Sequence, residues 1–293
     1  MNICSLCKLE KELQESHIIP GFLFRWLRKT SPTGYVRMTS EPNRRRQDGL
    51  KMYLLCRDCE QLFSTYETKF ARSVFYPFVN DGKRNFPYES WMLKFCVSLT
   101  WRALKYYEIN NHLREFGKPF LEISEKAEFL WRRYLLAESD SPDTDLDHHI
   151  YFMDSLEEVS EDDHPFVNRY LQRVIDMDVV TVDVEPFVTV KFPYFSLVGF
   201  IGSRPDEQTW LGGKLGQHAA LLTGEYSIPR YYWDYILEKC EVSHSMFDGV
   251  SKKQWNKINK ARLENQNNPN MHASHKAVQD DIRLFGSRAS RKN

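Results

Sequence analysis

The chain has 293 residues, 42% of them apolar, with forty Lys or Arg balanced by forty Asp or Glu. That length fits one or two domains with a small module attached, and nineteen Phe, fifteen Tyr and seven Trp exclude wholesale disorder. Zero net charge excludes a uniformly basic nucleic-acid binder but leaves room for local basic patches.

The first residues, "MNICSLCKLEKE", carry no apolar run of the secretory kind. "WMLKFCVSLTWRALKYY" (91–107) is interrupted by Lys94, Arg102 and Lys105, so it reads as a buried helix rather than a membrane span. The expected location is therefore the cytoplasm. Cysteines stand at 4, 7, 56, 59, 96 and 240, and four of them form two Cys-x-x-Cys pairs. A reducing compartment favours metal binding by such pairs over disulfides. Cys96, inside an apolar helical run, reads as a buried spectator.

Along the chain, residues 1–80 form a first module. Segment 31–49, rich in Pro, Gly and Arg, reads as a loop or loose hairpin; "KMYLLC" (51–56) reads as a strand entering the second cysteine pair. A helix follows, with Phe63, Tyr66, Phe70 and Val74 recurring on one face. A helical region, 86–137, should hold helices over 88–107 and 124–137, the second turning Phe129, Leu130 and Tyr134 inward. "ESDSPDTDLD" (138–147) reads as an acidic linker or exposed loop. Residues 148–250 should form a small helix-flanked sheet that binds substrate or partner. Its strands are "HHIYFM", "VVTVDV", "FVTVKF" and "FSLVGFI", with a helix over 165–175. Residues 251–293, with ten Lys or Arg against three Asp or Glu, read as a basic, partly disordered tail. The fold class is α+β.

Cys4, Cys7, Cys56 and Cys59 can give four thiolates to one tetrahedral zinc, joining two distant segments of the first module. Independent cysteines or a redox pair are the alternatives, but Cys4 lies too near the start for the strand that a thioredoxin-like motif needs before it. With "SHIIP" (16–20) and "LLCRDCE" (54–60) set around these cysteines, residues 1–75 resemble the HNH nuclease superfamily in its treble-clef, four-cysteine zinc form. "SHIIP", "LLCRDCE", "YE" and the later Trp-Arg-Ala (101–103) also resemble bacterial HNH-annotated proteins.

The resemblance implies a ββα-metal module in which His17 is the general base. A neutral imidazole suits that task, because it can take a proton from water attacking a phosphodiester. It also implies a Mg²⁺ or Mn²⁺ ion held by carboxylates, here Glu60 with Glu67 as a further ligand. Glu60, Ser64 and Glu67 share one helical face, where Glu67 has a structural ion pair as its alternative and Ser64 a capping or solvent-facing one. The chain departs from the pattern at three places. Ser16 stands where the family has Asp, Glu60 where it often has His, and Lys51 where it has Asn. A serine hydroxyl is a poorer ligand for a hard cation than a carboxylate.

Arg25, Arg28, Lys29, Arg44, Arg45, Arg46 and Lys51 bracket the histidine, with Arg37 nearby, and are the expected phosphate contacts; a solvated charged loop is the plain alternative. "DLDHHIYFMD" (145–154) places His148 and His149 on opposite strand faces and reads as a surface turn rather than a metal site. Cys240 and His244 lack further visible ligands, and "LGGKLG" (211–216) lacks the Walker spacing.

The expected function is a metal-dependent endonuclease acting on nucleic acid, DNA before RNA, with phage defence and a protein partner implied by analogy. The rivals are a zinc-containing nucleic-acid-binding protein without hydrolysis, and a protein-interaction module built on residues 85–245.

Overall fold

The computed structural model describes residues 2–138, 147–181, 186–202 and 209–289, and within them the chain is α+β. Strands β1 (Asn2–Ile3) and β2 (Glu10–Lys11) pair around the first cysteine pair. Then come β3 (Leu13–His17), α1 (Gly21–Lys29), the hairpin β4 (Val36–Met38) and β5 (Glu41–Arg46), β6 (Lys51–Cys56) and α2 (Arg57–Phe70). Strands β3 and β6 are antiparallel, with His17 opposite Lys51, Glu15 opposite Tyr53 and an irregularity between Gln14 and Glu15. Strand, second cysteine pair and helix thus follow directly upon one another. A five-residue π turn (Ala71–Phe75) carries α2 into α3 (Tyr76–Asp81); Phe63, Phe70 and Val74 are buried and Tyr66 half-buried.

After β7 (Phe86–Tyr88), helix α4 (Ser90–Ile109) buries most of its surface on every side, as a helix apolar all round must. It touches α2, α5 (Gly117–Leu135) and all four strands of a sheet ordered β8-β11-β10-β9. These strands are β8 (His148–Phe152), β9 (Asp176–Val180), β10 (Phe187–Phe192) and β11 (Phe195–Phe200), antiparallel throughout. Strict alternation gives the sheet two apolar faces. Ile150, Phe152, Val188, Val190, Phe195 and Leu197 join one cluster with α4 and the cysteine module. Tyr151, Phe187, Val198 and Phe200 join a second with α6 (Val167–Arg173) and α7 (Arg230–Ser245). Strand β12 (Ala220–Leu222) pairs with β7. Helices α8 (Lys252–Glu264) and α9 (His272–Phe285) follow.

Four sequence expectations are corrected. His148 and His149 do not sit in a surface turn: both are buried on β8, where His148 meets Thr100 at 2.8 Å on the α4 side. On the other side His149 lies between Asp147 and Tyr151, each at 2.8 Å. Phe129 faces solvent beneath the guanidinium groups of Arg132 and Arg133. Helix α5 starts at Gly117, ahead of the expected 124, because Pro119 lies in its first turn, where no backbone N–H is needed. The basic tail is helical through α9, whose buried Asp281 accepts from the backbone N–H groups of Asn168 (2.8 Å) and Arg169 (3.2 Å) at the start of α6. The acidic linker (139–146), the end of "VVTVDV" (182–184) and residues 290–293 lie outside the described residues. Among the described residues, no helix is long and apolar enough to cross a membrane.

Candidate functional site

The four cysteines are built by two tight turns. At the first, Lys8 N–H donates to the Cys4 carbonyl and Cys4 N–H to the Leu9 carbonyl, each at 2.9 Å, with Lys8 in the left-handed region at φ 59°. At the second, Cys56 ends β6 as the N-cap of α2 and Cys59 lies in the first helical turn. The ligand atoms of Cys4, Cys7, Cys56 and Cys59 all lie within 4.8 Å of one another, close enough to hold one metal ion. The Cys7 and Cys56 sulfurs are 3.8 Å apart, and a tetrahedral ZnS₄ centre with bonds near 2.3 Å needs about 3.8 Å. Hydrogen bonding by the Cys59 thiol, joined by backbone N–H groups including that of Cys56 at 3.3 Å, lowers the Cys4 thiol from 9.0 to about 4, while the same contact raises Cys59 and burial raises Cys7. Those donors favour a thiolate at Cys4. Among the described residues, these cysteines are the one group of three or more ligating side chains drawn together in this way.

His17 ends β3, half-buried, and its Nε2 lies 2.8 Å from Asp48 Oδ2. Lys51, directly opposite on β6, reaches the same Asp48 oxygen at 3.0 Å and Glu15 at 3.6 Å. Burial raises the Asp48 carboxyl, but hydrogen bonds from His17 and Lys51 outweigh it and hold the group below its ordinary 3.8. The Asp48 hydrogen bond conversely raises Lys51. Gly21, at the start of α1, is the floor of this corner. A Cβ there would lie 3.1 Å from His17 Cε1 and 3.2 Å from both His17 Nε2 and Arg25 Nη1. The missing side chain lets imidazole and guanidinium converge. Arg25 is exposed and has no ion-pair or hydrogen-bond partner among the described residues.

The backbone of His17 is fixed from behind. Arg102 on α4, fully buried, donates from Nη1 to the His17 carbonyl at 2.9 Å, and its Nη2 meets Glu67 Oε1 at 2.8 Å. Glu67 therefore forms an ion pair. Glu60 is half-buried on α2, and its Oε1 is enclosed without a hydrogen-bond partner. Ser64 lies on the solvent side of α2. Ser16 is buried and its hydroxyl accepts from Leu55 N–H at 3.3 Å across the strand pair, so it faces away from solvent.

The basic residues divide into two groups. Arg28 is tied to the Gly34 and Gln47 carbonyls at 3.4 and 3.0 Å, and Arg46 pairs with Glu41. Arg37 bonds the Pro42 carbonyl at 3.1 Å and Gln254 of α8 at 3.4 Å, which docks the hairpin on the C-terminal helices. Arg25, Lys29, Arg44 and Arg45 are exposed, although Arg44 also reaches Glu41 at 3.3 Å and Arg45 lies over the Tyr35 ring.

Sequence reasoning missed Asp48. Its signal was the Asp-Gly pair just before "LKMYLLC", a turn at the mouth of a strand paired with the histidine's strand. Arg102 lay within the Trp-Arg-Ala already noticed, but a buried strut has no signature in sequence. Compared with known proteins, the chain matches no family model, no curated protein and no solved structure.

Proposed function

We propose that the protein is a metal-dependent endonuclease of HNH type, in which β3, β6 and α2 serve as the ββα module and the four cysteines hold a structural zinc in a treble-clef setting. The observation that carries this reading is His17 at a strand end, oriented by Asp48 beside an unpartnered arginine, in a module closed by four cysteines. Four soft sulfurs within 4.8 Å of one another suit zinc, and closure by the ion would stabilise a module whose strands are short.

His17 Nε2 donates to the Asp48 carboxylate, which leaves Nδ1 its lone pair. Nδ1 then takes the proton from a water that attacks the phosphorus of a phosphodiester. Arg25 neutralises a phosphate oxygen, and the exposed Arg44, Arg45 and Lys29 hold neighbouring phosphates without reading bases. A Mg²⁺ or Mn²⁺ ion would supply charge stabilisation at the phosphate and leaving oxygen. Asp48 beside His17 is the hard oxygen donor the chain offers such an ion; Glu60, with its enclosed oxygen, forms no three-ligand group with His17 and Asp48 among the described residues. DNA is the substrate the resemblance favours; phage defence, with a protein partner, is the corresponding setting.

A second reading has its own support. Ser16 spends its hydroxyl inside the strand pair and Lys51 is committed to Asp48, so two positions that serve the ion and the base in the family do other work here. That favours a zinc-containing nucleic-acid binder without hydrolysis. Incubating the purified chain with Mg²⁺ or Mn²⁺ and duplex DNA, single-stranded DNA and RNA decides between the two. Cleavage abolished by chelation is expected. Salt-sensitive binding with every substrate left intact, with or without a partner protein, sinks the enzyme.

A further inference from the structure

The β3–β6 pair shows one face to solvent beside the histidine. Glu15 and His17 share that face on β3, and Lys51 and Tyr53 share it on β6, each pair directly opposed. Tyr53 is 68% exposed, more than an aromatic ring needs to be in a chain that buries so many. Among the described residues it has no hydrogen bond and no ring or cation partner. Diagonal neighbours on such a pair lie roughly 7–8 Å apart at the backbone, so Tyr53 and His17 are set about one nucleotide's reach apart along a strand. The face is also polarised. At the His17 end Arg25 is the cation without a partner among the described residues, since Lys51 is balanced by Asp48 and reaches Glu15 at 3.6 Å, while Glu15 lies directly across from the ring.

The geometry points to Tyr53 as a stacking platform for an unpaired base of a DNA strand whose adjacent phosphate lies at Arg25 and His17. This rests on the nuclease reading for the identity of the phosphate site and adds the substrate class. A base inside a duplex has both faces covered by its neighbours. Only an unpaired one can lie on a ring fixed to a strand face. Glu15 keeps phosphate from the ring end and can accept from a base's exocyclic amino group, as carboxylates accept from cytosine N4. Arg25 at the other end has the opposite preference. The strand is thereby directed as well as bound.

The test is binding of a single-stranded DNA oligonucleotide containing 2-aminopurine, followed by anisotropy and by quenching of the reporter base over a series of salt concentrations. Tyr53→Ala should weaken binding roughly tenfold, the loss expected for one base-on-ring stack, and abolish the quenching. The slope of log affinity against log salt should not change, because stacking releases no counterion. Tyr53→Phe should restore both signals. Arg25→Ala should instead lower that slope by about 0.7, the share of one phosphate on a single strand. Wild-type affinity and quenching in Tyr53→Ala overturn the platform, as does preference for fully paired duplex; preference for the matched RNA overturns the DNA assignment. If the strand binds and stacks but is never cut with Mg²⁺ or Mn²⁺, hydrolysis fails while the platform stands. If duplex is cut equally by wild type and Tyr53→Ala, the platform fails while hydrolysis stands.

Discussion

Asp48 does two things with one carboxylate: it takes a hydrogen bond from His17 and neutralises Lys51, which faces the histidine across the strand pair. That double contact was hidden in the sequence because it depends on a turn folding back over its own strand. The cysteine quartet was legible, since metal ligation leaves a spacing pattern. The histidine was legible only through the motif around it. If Asp48 is a positioning residue, Asp48→Asn should lower kcat roughly 10²-fold, toward the loss of a general base's help, with KM little changed. An amide preserves size but no longer selects the tautomer with Nδ1 unprotonated. Equal losses in kcat and in folded fraction would mean that Asp48 only holds the loop.

At the scale of elements, helix α4 is the post against which the site is braced. Its Arg102 ties the end of β3 to α2 through the His17 carbonyl and Glu67, beneath the Phe63 ring. In the sequence, an arginine in an apolar run signals only that the run is not a membrane span; its partners come from segments distant in sequence. Replacing it with Met removes one member of a buried pair and leaves Glu67 without its counter-charge and the His17 carbonyl without its donor. A loss of roughly 3 kcal/mol in denaturant unfolding is expected, with zinc retained by the cysteines. A loss within experimental error would show that the strut carries no load. The strands of the sheet were legible as β-branched and aromatic runs, but their order was not. Helix starts and exposed aromatics did not, because Pro119 is harmless in a first turn and Phe129 is shielded by arginines rather than by the core.

Across the whole molecule, charged side chains stitch the segments together from inside. Arg173 of α6, its guanidinium lowered to about 10 by burial, donates to Thr30 Oγ1 at 2.7 Å and to the Leu27 and Thr30 carbonyls at the end of α1. Asp281 joins α9 to α6, which is why a basic, polar C-terminal sequence folds. No local rule reveals such ties, because each depends on an acceptor placed by another element. Lys191 on β10 donates to the Tyr170 and Val174 carbonyls, and burial holds its amine well below the ordinary 10.5. The unfolded chain keeps the ordinary value, so between the folded value and 10.5 it binds more protons and Lys191 makes stability rise with pH. The unfolding free energy of wild type minus that of Lys191→Met should therefore increase from about pH 7 to about pH 10. A flat or falling difference would mean that the buried amine stays charged.

The proposed cleavage turns on the histidine. The most direct measurement is the single-turnover cleavage rate of His17→Ala in saturating Mg²⁺ or Mn²⁺, with zinc content and folding followed on the same sample. Zinc at one per chain, an intact fold and near wild-type strand binding are expected, together with a rate lowered by about 10²–10⁴-fold, the span a general base contributes. Cleavage by the folded, zinc-loaded variant at the wild-type rate across pH would contradict the assignment of His17 as the base.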